Sequence, residues 1–353
     1  MKFFCSIILI IGCVACGRPR AEEKAGETTG IPLVGSVTRL DTAVTGIVPS
    51  NAKIEQITSG YNSAAGIFYH RDGFLLFSDT VRNTIYKWTP DGAVVEYRKP
   101  SGYDGSAQPK GTQNGSNCIT MDSQYRLVVC EQGNHRITRS DVTDRRTVLA
   151  ETFEGKRLNG PADAVYKSDG SLYFTDPSFA FPKGDADPAK ELKFNGVYRL
   201  SPEGKLTLLT KELAQPYGIA LSPDEKLLYV ANSDAARKVW MRYELKPDGT
   251  LGEGSVFFDA GKIAEAGLPA GVKVDTGGNV YCAGPGGVLV VSPQGKHLGT
   301  IKLPEPAVNM HWGKYADTTT APAMASKEYA TTLYITTGAA VYRIALSAVG
   351  IRP

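Results

Sequence analysis

The sequence has little charge of either sign to spare: 39 Lys+Arg against 36 Asp+Glu leave a net charge of +3. Without a strongly basic face, no nucleic-acid partner is expected. Histidine is scarce, and His70, His135, His297 and His311 lack the close spacing of metal-ligand pairs. No Gly-x-Ser-x-Gly elbow occurs, which excludes the usual strand-turn-helix nucleophile of serine hydrolases. No stretch sustains the period of an amphipathic helix. What is present is a chain 42% hydrophobic and 21% charged, ordinary for a folded globular protein. Its 38 Gly and 17 Tyr, with many β-branched residues, favour short strands joined by tight turns.

The first residues read as a targeting segment. Met1-Lys2 gives a positive start, and Phe3 to Ile11 form an apolar run too short to span a bilayer. Ile10-Ile11-Gly12-Cys13 resembles a bacterial lipobox, in which Cys13 carries lipid and becomes the mature N-terminus; Cys16 is a second candidate. The competing interpretation is an ordinary signal peptide with incidental cysteines. Residues 1–12 are thus expected as a lipoprotein signal, 13–50 as a lipidated N-terminus and tether, and 51–353 as the folded body. That order predicts a cell-envelope protein, lipid-anchored on the periplasmic or cell-surface side. Cys118, Cys130 and Cys282 remain in the body. Cys118 and Cys130 flank a turn and face each other across a hairpin, as a disulfide or as two buried thiols.

The body repeats itself. Leu75-Leu76-Phe77-Ser78-Asp79 returns as Leu127 to Glu131, Leu172 to Asp176, Leu228 to Asn232, Val280 to Gly284 and Leu333 to Thr337. The segment ends at 79, 131, 176, 232, 284 and 337 are separated by 52, 45, 56, 52 and 53 residues. Six copies of a four-stranded unit predict an all-β, six-bladed β-propeller, whose ring buries the apolar faces that each blade alone would expose. Ala52 to Ile57 is expected to supply the outer strand of the last blade and close the ring. Pro100 to Ser116, Pro177 to Asn195 and Gly313 to Ala330 break the rhythm as long loops.

Several motifs carry a family resemblance: Cys130-Glu131-Gln132-Gly133-Asn134-His135-Arg136, Glu154 to Asn159, Tyr173-Phe174-Thr175-Asp176-Pro177, Ser222-Pro223-Asp224-Glu225-Lys226 and Lys296 to Ile301. Together they resemble the gluconolactonase/regucalcin (senescence marker protein) family, from about Ala52 to Ile344. The resemblance implies hydrolytic opening of sugar lactones with one divalent cation, calcium or zinc, at one end of the central channel. It places the ligands on a Glu before Gly-Pro, an Asn before Gly and an Asp before Gly-Met. At those places this chain has Ala64-Ala65-Gly66, Pro216-Tyr217-Gly218 and Ala270-Gly271-Val272. Alanine has no donor atom, and a phenol is a poor ligand for a hard cation. No metal cofactor is therefore expected, with the ligand positions replaced at Ala64, Tyr217 and Ala270.

By the same resemblance Asn117, Glu131 and Asn309 stand at substrate-binding positions, and Tyr217 could stack on a sugar face. Catalytic residues are not assigned. Asp163 and Asp176 read as strand-end acceptors for backbone amides. The basic cluster Arg136, Arg139, Arg145 and Arg146 reads as a solvated blade edge. Three functions follow: a binding module for a sugar, sugar acid or lactone with metal-dependent hydrolysis lost or much reduced, an active lactone hydrolase with a rebuilt site, and an interaction scaffold on a membrane surface through the Pro100 to Ser116 loop.

Overall fold

The computed structural model describes residues 31–105, 113–314 and 330–351. Cys13, the centre of the Pro100 to Ser116 loop and most of the Gly313 to Ala330 loop lie outside the described residues.

Six antiparallel blade sheets follow one another along the chain, each blade beginning with its inner strand, with a two-stranded hairpin of Thr152–Phe153 and Lys156–Arg157 between the second and third. The inner strands are Ala64–Tyr69, Ser116–Met121, Ala164–Tyr166, Pro216–Leu221, Val272–Val274 and Ala307–Gly313, and they surround a central channel as a six-bladed β-propeller. Ile54–Ser59 pairs with Ala340–Ala345, so the N-terminal side of the body supplies the outer strand of blade six, as expected.

The blades adhere because alternate residues of a strand point to opposite faces. In blade one, Leu75 and Phe77 join Tyr334 and Val341 of blade six. Their neighbour Leu76 joins Phe68 and Ile85 in packing on Ile119, Met121, Leu127 and Val129 of blade two. Burying each such Leu or Phe stabilises the ring by about 1.5–3 kcal/mol. Hydroxyls just before the ends of the second strands add links between blades. Thr175 Oγ1 donates to the Tyr217 carbonyl at 2.5 Å, Thr336 Oγ1 donates to that of Ala65 at 2.6 Å, and the Ser78 and Ser116 hydroxyls lie 2.9 Å apart.

One expectation needs correction. The fold begins well before residue 51: Leu33–Val34 extends blade six and Ser36–Arg39 extends blade five, giving each a fifth strand. A 3-10 turn at Thr42–Gly46 follows, and Val44 and Val48 are fully buried against Leu298 and Ile301. The Gly- and Thr-rich composition suggested a tether, but valines at 34, 37, 44 and 48 give the segment enough apolar surface to dock. Of the two alternatives for Cys118 and Cys130, the structure shows free, buried thiols. A hydrogen bond with Cys130, then burial, raises the Cys118 thiol well above its ordinary value.

Candidate functional site

The channel wall is shaped by bulges. Register shifts interrupt the pairing at Ala64/Ile67, Ser116/Ile119, Pro216/Ile219 and Ala307/Asn309, near the starts of four inner strands. Such a bulge twists the strand and re-aims side chains toward the axis. Glycine allows neighbouring inner strands to approach. A Cβ on Gly66 would sit 1.9 Å from the Asn117 carbonyl oxygen, and one on Gly218 would sit 2.2 Å from that of Ala270. Across blades, Cys118 N–H donates to the Ala162 carbonyl at 3.0 Å and Gly271 N–H donates to that of Val308 at 2.8 Å. The channel is therefore narrow where the inner strands begin.

At that end the structure brings together Asn117 and Tyr217, from blades two and four. Asn117 Nδ2 donates to the Tyr217 hydroxyl at 3.1 Å and to Gln132 Oε1 at 3.0 Å. Both residues are buried, and the Phe179 ring meets Tyr217 edge-on at 5.7 Å from the Pro177 to Asn195 loop. Ala162, Tyr217 and Ala270 belong to one apolar cluster, and Ala64 is buried on blade one. Burial holds the Tyr217 phenol above its ordinary value, an effect opposed by the Asn117 hydrogen bond, so it stays neutral.

This donor set does not fit a hard divalent cation, which takes six or more oxygens and favours carboxylates. Two of the three positions offer methyl groups, and the third offers a neutral phenol already bonded to an amide. Among the described residues, no three His, Cys, Asp or Glu side chains converge as a metal site.

The other candidates are placed elsewhere. Glu131 is buried within blade two, where it accepts from Arg136 Nε at 2.7 Å, Asn134 Nδ2 at 2.8 Å and Thr138 Oγ1 at 2.8 Å. It is thus saturated by its own blade and is not joined to Asn117. Arg146 also approaches Glu131, while Arg139 and Arg145 pair with Asp122 and Asp141, so the basic cluster is neutralised on that blade. Asp176 accepts from the N–H groups of Asn159 and Gly160 at 2.8 and 2.7 Å, the strand-end role expected of it.

Asn309 and Asp163 lie further along the channel. Asn309 Oδ1 accepts from Met310 N–H at 2.8 Å. Asp163 accepts from Ala164 N–H at 3.1 Å and, across blades, from Ile219 N–H at 3.2 Å. It also faces the ammonium of Lys273 on blade five at 3.6 Å. Asp163, Lys273, Asn309 and His311 all line a cavity of about 920 Å³ that reaches the turns following the inner strands of blades two to four.

Two residues were missed in the sequence. Gln132 sits inside a quoted motif and is fully buried, and its Nε2 has no partner among the described residues. Lys273 could have been noticed as a charge alternating with Val272 and Val274 on an inner strand.

Comparison with known proteins shows the family and the fold. A model of the SMP-30/Gluconolactonase/LRE-like region matches residues 63–339. A gluconolactonase from Zymomonas mobilis is 37% identical over 280 residues, 76% of this chain and 77% of that protein. The solved structure of a gluconolactonase from Xanthomonas campestris superposes with a TM-score of 0.73 at 28% identity, covering 89% of this chain and 97% of that one. A calcium-binding regucalcin from Agrobacterium tumefaciens shares the fold, with a TM-score of 0.63 at 15% identity, over 84% of this chain and 94% of that one.

Proposed function

The chain belongs to the SMP-30/gluconolactonase family, and from that premise we propose that it is a small-molecule-binding propeller in which metal-dependent lactone hydrolysis is lost or much reduced. The observation that carries this reading is the Tyr217–Asn117 pair at 3.1 Å, with Tyr217 in one apolar cluster with Ala270, where the family resemblance calls for cation ligands. A ligand of the sugar, sugar acid or lactone class then enters from the opposite end, through the cavity that reaches Asn309. The chain's own contribution is a rigid, hydrogen-bonded wall that positions the ligand, with no step assigned to a cation.

The test is hydrolysis of a panel of sugar lactones by the purified protein with calcium, zinc or chelator. Rates equal to the uncatalysed background in all three conditions are expected. A second reading, an active lactone hydrolase with a rebuilt site, is favoured by the 37% identity to the Zymomonas mobilis gluconolactonase; chelator-resistant turnover would support it.

The same proposal places the protein in the cell envelope, held by lipid on Cys13. Replacing Cys13 by Ser should move the protein from the membrane to the soluble fraction, and unchanged membrane retention would refute the anchor.

A further inference from the structure

The cavity at the far end of the channel has a chemistry of its own. Its floor is a cross-blade pair, the buried Asp163 and the partly exposed Lys273, with Nζ and Oδ2 at 3.6 Å. Asp163 is held by two backbone N–H donors, whereas the Lys273 ammonium makes no hydrogen bond among the described residues. Beside them stand Asn309 and His311. His311 Nδ1 either accepts from the Tyr69 N–H at 3.2 Å or, in the other tautomer, donates to the Trp312 carbonyl at 2.8 Å, and Nε2 has no partner among the described residues. A donor-rich cation thus lies next to a carboxylate acceptor, with an imidazole nitrogen at hand. Hydroxyl and amide groups, which donate and accept at once, match such a pair; a bare anion or cation meets repulsion from one of its members.

The rim does not alter that balance. Arg126 and Arg139 both face Asp122, at 2.7 and 3.7 Å. Lys167 is shared by Asp169 and Glu225, at 3.0 and 3.5 Å. Among the described residues, the three rim cations Arg126, Arg139 and Lys167 are matched in number by the carboxylates Asp122, Asp169 and Glu225. The wall between floor and rim is apolar, with Met121, Leu221 and Ile351 among its side chains. At about 920 Å³ the space is within the range that takes a ligand larger than a single sugar.

We propose that this cavity binds an uncharged amphiphile: a hydroxyl- or amide-bearing head on Lys273 and Asp163, with an apolar body along Met121, Leu221 and Ile351. This rests on the reading of the channel as a small-molecule site and narrows its ligand to a neutral one. It is independent of whether lactone hydrolysis occurs, so the two can fail separately.

The reporter is Trp312, which lines the cavity, whereas Trp88 and Trp240 do not. The intact protein is titrated with octyl β-glucoside below its micelle concentration, and with octanoate and octyltrimethylammonium as charged congeners, while Trp312 emission is followed. Saturable binding of the glucoside is expected, at least tenfold tighter than either ion. Lys273→Met leaves the carboxylate alone and should shift the preference to the cation; Asp163→Asn leaves the ammonium and should shift it to octanoate. A structural role for the pair would lower stability without reversing the order of ligands. Absence of glucoside binding, a charged congener binding as tightly to the unmodified protein, or the same response in Trp312→Phe overturns the proposal. If a variant does not fold, the ranking on the unmodified protein still decides.

Discussion

Tyr217 of blade four and Asn117 of blade two meet across the channel, hydroxyl to amide nitrogen at 3.1 Å, although 100 residues separate them in sequence. One phenol thereby fills space, satisfies a buried amide and occupies a position where the family resemblance places a cation ligand. Tyr217→Phe removes the hydroxyl but keeps the ring, so Asn117 retains only its bond to Gln132. The expected loss is about 1 kcal/mol in urea denaturation, with the fold intact. No loss would mean that the pair carries no stability.

Restoring the missing donors should restore a cation site. The triple variant Ala64→Glu, Tyr217→Asn, Ala270→Asp is expected to gain thermal stability with added calcium, by mass action, while the unmodified protein does not. A triple variant that ignores calcium would show that these three positions do not converge as ligands.

Two buried groups give the protein opposing pH dependences. Burial raises the Asp176 carboxyl from 3.8 to about 7, against the hydrogen bonds from Asn159 and Gly160. Between these values the native state keeps a proton that the unfolded chain has released, so this contribution to stability is lost as pH rises from about 4 to 7. Burial, and next Lys273, lowers His311 from 6.5 to about 3. There the unfolded chain takes up the proton first, so stability falls as pH drops from 6.5 towards 3. In urea midpoints measured against pH, Asp176→Asn should raise stability most near pH 7, and His311→Gln should soften the acid limb. Parallel curves for either variant and the unmodified protein would exclude that group as a source of the slope.

A chain beginning at Asn51 should be measurably less stable than one beginning at Ile31. It loses both added strands and the burial of Val44 and Val48, on the order of 3 kcal/mol or more for the valines alone. Equal denaturation midpoints would show that residues 31–50 dock without stabilising the ring.

The architecture was legible because each blade repeats a buried five-residue segment in its second strand, as in Leu75–Asp79 and Leu172–Asp176. The closing strand Ile54–Ser59 overlaps the Ala52 to Ile57 segment expected to close the ring. The docking of Ser36–Arg39 was not legible, because two-strand additions at sheet edges depend on a partner, here His297–Lys302, rather than on local pattern. Ala64, Tyr217 and Ala270 could be recognised as departures from a family pattern, but the Tyr217–Asn117 contact needed the ring to bring blades two and four face to face. Glu131 shows the converse: its motif suggested substrate contact, whereas Arg136 and Thr138, arriving on the next strand, engage both of its oxygens. Lys273 and Asp163 pair across blades, a relation no linear spacing encodes.

The central claim is that the channel binds small molecules while cation-dependent lactone opening is lost or much reduced. Its most direct test is the rate of sugar-lactone hydrolysis by the purified protein with excess calcium, with excess zinc and with chelator. The account predicts no rate above background in any of the three. Hydrolysis that chelator abolishes and calcium or zinc restores would contradict it, and would require a cation site built from other residues.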